Sequence, residues 1–143
     1  MESLKQSTLA IFWALIGVFL IILGQFFIPA LRDLLKGSEL FLIPMGIFCL
    51  LGLALLVLAL KERIAGKLKK FLVLTGASAV GIFVFVFLHN AFYALGTITS
   101  HIIGLNYLTE ALHVVCFIVA IIVCPLGFLV GIVGTIVLFA KGR

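Results

Sequence analysis

Carboxylates are scarce in this chain. Asp33 is the only aspartate, and the glutamates are Glu2, Glu39, Glu62 and Glu110. None lies in the middle of an apolar run. An intramembrane hydrolase or an acid-coupled carrier needs a carboxylate deep between its helices, where an ionisable group is expensive and is kept for function. No residue here fills that role. No nucleophile elbow, HExxH pair or Walker lysine-serine pattern occurs either. Cysteine is equally limited. Cys49, Cys116 and Cys124 form no CxxC, and three unpaired spacings argue against a disulfide framework or a dithiol redox centre. They read as small apolar residues.

Charge of any kind is sparse. Charged residues make up 10% of the chain against 65% hydrophobic residues, and the mean hydropathy is +1.45. A soluble domain carries about 25% charge and about 45–50% apolar residues. Folded in water, this composition leaves wide apolar faces with nothing to cover them. The net charge of +5 does not point to nucleic acid, because the basic residues sit beside apolar runs, where they read as topology and anionic-lipid contact.

What remains is apolar sequence in four long stretches, 8–28, 40–60, 71–95 and 111–140. A helix needs roughly 20 apolar residues to cross a bilayer core. Backbone polar groups in lipid must be satisfied internally, which leaves helices or closed barrels. The runs are continuous and do not alternate, so helices are expected. The fold class is all-α: a polytopic four-transmembrane-helix bundle in one domain, 1–143. Lys5 followed by an apolar run loosely resembles a secretory leader, but no small-residue cleavage site follows, so the first run is expected to be a retained span.

Lysine and arginine are unequally shared between the connections. Lys5, Lys61, Arg63, Lys67, Lys69, Lys70, Lys141 and Arg143 fall on one side, and only Arg32 and Lys36 on the other. The positive-inside rule then places both termini and connection 61–70 in the cytoplasm. Connections 29–39 and 96–110 lie outside, and the expected location is the plasma membrane. Pro29 marks the end of the first span, Leu31, Leu34 and Leu35 suggest a short interfacial helix, and Pro125 predicts a kink in the fourth span.

Polar residues gather at the outer ends of spans 3 and 4. His89 and Tyr93 are four apart, Glu110 and His113 three apart, so each pair shares a helix face. If those faces meet, His89, Glu110 and His113 offer imidazole and carboxylate ligands suited to zinc or iron. A bis-histidine haem b between His89 and His113 is a second reading. A third is an outward-facing polar pocket for a small ligand or partner, or a proton relay, which Asn90, Tyr93 and His101 join. A di-iron centre is poorly supplied, since only one Glu-x-x-His motif is present. Ordinary anchoring at the membrane boundary accounts for the same residue types. The expected function is a non-enzymatic integral membrane protein with that pocket. The alternatives are a metal- or haem-binding redox or sensory protein, and an accessory subunit of a larger complex. Gly127, Gly131 and Gly134 present a small-residue face for helix packing, within the chain or between copies in a homo-oligomer.

Overall fold

The computed structural model describes residues 2–35, 40, 42–62, 64 and 66–141, with side chains from residue 6 onward. The sequence expectations for Lys36, Glu39, Arg63 and Arg143, and for the side chain of Lys5, lie outside the described residues. The elements are α1 (Glu2–Phe27), α2 (Pro29–Leu35), α3 (Ile43–Lys61), α4 (Gly66–Ile98), α5 (Ile103–Ile118), a π-helical turn (Val119–Val123) and α6 (Cys124–Ala140). Four helical stretches are long and apolar enough to cross a membrane: Gln6–Phe27, Ile43–Lys61, Gly66–Ile98 and Ile103–Ala140. At most 28% of the most apolar window of any of them is buried inside the protein. Large side chains such as Leu20, Phe27, Leu50, Phe87 and Ile103 point outward. That surface is compatible with a membrane protein.

Local chemistry sets the breaks. Pro29 has no N–H and opens α2. The chain still bonds across the joint, from Ile28 N to Gly24 O at 2.9 Å and from Arg32 N to Ile28 O at 3.0 Å. Pro44 lies in the first turn of α3, where its missing donor is harmless. Glu62 turns extended after α3. Gly66 then starts α4 at φ +73°, a left-handed conformation in which a side chain is strained.

Two expected connections are shorter than their polarity implied. Most of 96–110 is helical: α4 continues to Ile98 and α5 begins at Ile103. The polar residues there satisfy themselves on their own helices. Thr97 and Thr99 donate to the carbonyls of Tyr93 and Leu95 at 3.1 and 2.8 Å, and Thr109 to that of Leu105 at 3.0 Å. A hydroxyl bonded four residues back leaves the helix intact. The same holds at 61–70, where helix resumes at Gly66.

Pro125 produces a wide turn before it. The Cys124 N–H reaches Val119 O, a bond five residues back, just before the proline that cannot donate. π turns of this kind re-aim the helix that follows. Here α5 and α6 both lie on α4, and Cys124 at their joint sits against Gly81.

α4 is the axis of the bundle. On one side it meets α3 where Gly52 and Gly76 cross. A Cβ on Gly76 would lie 2.8 Å from Gly52 O and 2.9 Å from Leu56 N. On the other side α6 lays its glycines on α4: Gly127 faces Ser78, Gly131 faces Thr75, and Gly134 faces the Phe71 ring. The small-residue face read as helix packing, within the chain or between copies, lies against the chain's own α4. α1 packs on α3 and reaches α6 through aromatic rings. Phe19 meets Phe128 at 4.8 Å and Phe12 meets Phe139 at 6.4 Å between centroids, while Phe48 of α3 meets Phe128 at 5.1 Å.

Even one methyl group at the α3–α4 crossing must displace backbone. Gly76→Ala is expected to destabilise the fold by about 1–3 kcal/mol. Gly104→Ala, at a position open to its surroundings, should be silent. Thermal unfolding of both variants in one detergent checks this.

Candidate functional site

The candidate site lies on the α4–α5 edge, roughly 28 Å along α4 from Lys70 at 1.5 Å per residue. α4 and α5 run antiparallel from the tight turn at residues 99–102, so His89 and His113 arrive at the same level. Their imidazoles lie 4.7 Å apart between centroids with 35° between the planes. His89 Nδ1 is 3.0 Å from the backbone carbonyl oxygen of His113. His113 Nδ1 is 3.2 Å from the carbonyl oxygen of Glu110. A carbonyl only accepts, so each Nδ1 is the donor, and in the neutral ring the lone pair is left on Nε2.

Other rings close the edge. Phe117 lies 5.1 Å from His89, and Tyr93 lies 5.7 Å from His113. The Glu110 carboxylate is 3.8 Å from His113 Nδ1, with 64% of its side chain exposed against 17% for His113. The structure thus gathers His89, Tyr93 and His113, with Glu110 at the margin. It does not bring in the other two expected residues. Asn90 faces outward and donates to its own helix at Val86 O, 2.8 Å away. His101 is exposed in the turn after α4.

The metal set expected from sequence is not assembled. Among the described residues no three His, Cys, Asp or Glu side chains form a group able to hold a metal ion. His89 and His113 converge, but Glu110 meets the ring at the nitrogen already turned to a carbonyl. Haem b does not fit either. Two axial imidazoles address an iron edge-on from opposite faces of the macrocycle, whereas these rings lie against each other, tilted by 35° with centroids 4.7 Å apart. Phe117 was not foreseen as part of the site. It lies four residues beyond His113 on the same face, and that spacing was legible among many apolar residues but not distinctive.

A second feature lies at the opposite end of the bundle. Thr8, 2% exposed, donates to Glu62 Oε1 at 2.5 Å and ties the start of α1 to the end of α3. Beside this bond is a cavity of about 440 Å³. No sequence signal marked it, because its lining comes from separate helices, α1, α4 and α6, and from Ile64 between α3 and α4.

No protein family, curated protein or solved structure matches the chain.

The His89–His113 bond is the one side-chain hydrogen bond described between α4 and α5. His89→Ala is expected to lower stability by about 1 kcal/mol, the usual net contribution of such a bond. It should also shift the His113 ring-proton resonances, since a stacked ring is lost. NMR of imidazole-labelled protein in micelles checks both at once.

Proposed function

We propose that the chain is an integral membrane protein without catalytic activity of its own, and that it binds a small ligand or a partner's polar group at the His89–His113 edge. The reading of the membrane rests on four apolar helices whose outward surface is dominated by Leu, Ile, Val and Phe. The threading rests on the basic residues. Lys61, Lys67, Lys69, Lys70 and Lys141 gather at one end of the bundle, and Arg32 is paired with Asp33 at 3.8 Å at the other. With that asymmetry the termini and the 62–65 connection face the cytoplasm, and the histidine edge faces outward.

One observation carries the ligand reading: both histidines spend Nδ1 on carbonyls and hold Nε2 in reserve. Polar groups near a bilayer core are costly, and an imidazole whose acceptor nitrogen has no partner among the described residues is suited to a donor from outside. A hydroxyl, an ammonium or an amide N–H fits it. Tyr93 and Phe117 supply flanking aromatic surface of the kind that lines small-molecule sites.

Two measurements test this. Alkaline carbonate should leave the wild-type chain in the membrane pellet; release into the supernatant contradicts the membrane reading. Diethyl pyrocarbonate reacts at free imidazole nitrogen. In native membranes His89 and His113 should be protected, and purification into detergent should raise their labelling several-fold. His101, exposed in the turn, should react equally in both. Equal labelling of His89 and His113 before and after purification contradicts an occupied site.

A further inference from the structure

We propose that the cavity at the basic end of the bundle is a binding site for one anionic phospholipid. The inference rests on the chain being embedded in a bilayer, as argued above, but uses different residues and the opposite end of the helices.

The cavity lies where three helices diverge. Thr8 and Leu9 on α1, Leu68 and Leu72 on α4, and Phe139 on α6 form its walls, and Gln6 stands at its rim. α1 approaches α6 by side chains, chiefly the Phe12–Phe139 and Phe19–Phe128 ring contacts. Phe139, in ring contact with Phe12, lines the cavity. The volume, about 440 Å³, falls within the roughly 300–1,000 Å³ of small-ligand sites. The walls are mostly apolar, with Leu9, Ile64, Leu68, Leu72 and Phe139, and their polar groups are Gln6 and Thr8 at the start of α1. That lining matches a lipid, with its acyl chain against leucine and phenylalanine and its head beside Gln6 and Thr8.

Charge selects the kind of lipid. Leu68 lies between Lys67 and Lys69, which flank the cavity-lining face of α4, and Lys61 ends α3 at the same end of the bundle. Lys141 closes α6, directly after the turn that bears Phe139. Lys69 Nζ donates to Leu60 O at 3.4 Å, whereas Lys61, Lys67, Lys70 and Lys141 are exposed. Glu62 is the one described carboxylate at this end, and Thr8 holds its Oε1. A positive rim over an apolar hollow at headgroup level fits a phosphate-bearing anionic head and disfavours a head with a compensating ammonium. Basic pockets between transmembrane helices bind anionic lipids by this arrangement.

The test uses the full chain in nanodiscs and native mass spectrometry after partial delipidation. The probes are phosphatidylglycerol, phosphatidylcholine and soluble glycerol 3-phosphate. The wild type should retain one phosphatidylglycerol per chain, little phosphatidylcholine and no glycerol 3-phosphate. Lys67→Gln/Lys69→Gln should weaken phosphatidylglycerol retention by roughly thirtyfold and leave helicity unchanged. Leu68→Trp, which fills the cavity and keeps every charge, should abolish retention of the single lipid. Equal retention of the two phospholipids by the wild type, or undiminished phosphatidylglycerol on Leu68→Trp, overturns the site. Retention of glycerol 3-phosphate alone replaces the lipid with a soluble phosphate and also overturns it. Carbonate extraction of the same variants separates a failed site from a failed membrane reading. If Leu68→Trp unfolds, Leu9→Trp approaches the same hollow from α1 and takes its place.

Discussion

The architecture depends on how closely two helices can approach α4. From Thr75 to Ala79 that helix carries only small residues. Gly52 of α3 closes on Gly76 and Ala79, and Gly127 and Gly131 of α6 close on Ser78 and Thr75. In a bilayer, helices gain little from leaving lipid for one another, because lipid tails are as apolar as leucine. Their association then comes from close van der Waals contact, which small residues permit. A helix with large residues at these points would hold its neighbours several ångströms away. The other features follow from this central contact. α1 has no glycine crossing onto α6 and bridges to it with phenylalanine rings. The basic-end cavity is what remains where that bridge stops.

Polar side chains obey the same economy of donors. Thr75, Thr97, Thr99, Thr109 and Asn90 return their donors to carbonyls of their own helices. Those bonds hide polarity without joining anything together. Only a few bonds cross between elements. Thr8 to Glu62 closes the basic end, and His89 to His113 closes the α4–α5 edge. The second is unusual in leaving two adjoining imidazoles, tilted by 35°, with no bond to their remaining nitrogens among the described residues. That separates this edge from an ordinary belt of interfacial residues such as Tyr107, which stands exposed with no such arrangement.

Much of this was legible in the sequence for a physical reason. Apolar runs of membrane length record the solvent, so the four long helices could be read without any knowledge of packing. The i, i+4 and i, i+3 spacings of His89–Tyr93 and Glu110–His113 placed those residues on shared faces, and the antiparallel hairpin brought the faces together. Connection lengths were misjudged because polarity was taken for loop, whereas the threonines bond back and let helix continue to Ile98. The Gly52–Gly76 crossing was missed because a glycine among apolar residues looks the same whether or not another backbone lies against it. Pro125 foretold a disturbance, but not that a π turn would absorb it. The metal reading has no support in the geometry of the described residues: spacing puts Glu110 and His113 on one face but does not say which ring nitrogen the carboxylate meets.

The central claim is that α5, the π turn and α6 lie along α4 in the register that brings Cys124 to Gly81. A Cβ at Gly81 would stand 3.9 Å from Cys124 Cβ, close to the ~3.8 Å mean of a disulfide. The most direct measurement is mild oxidation of Gly81→Cys in native membranes, followed by identification of the crosslinked peptides. The structure predicts an intrachain bond from position 81 to Cys124, with Cys49 and Cys116 left as free thiols. A bond to Cys116, or crosslinking only between chains, would contradict the register and with it the arrangement of helices around α4.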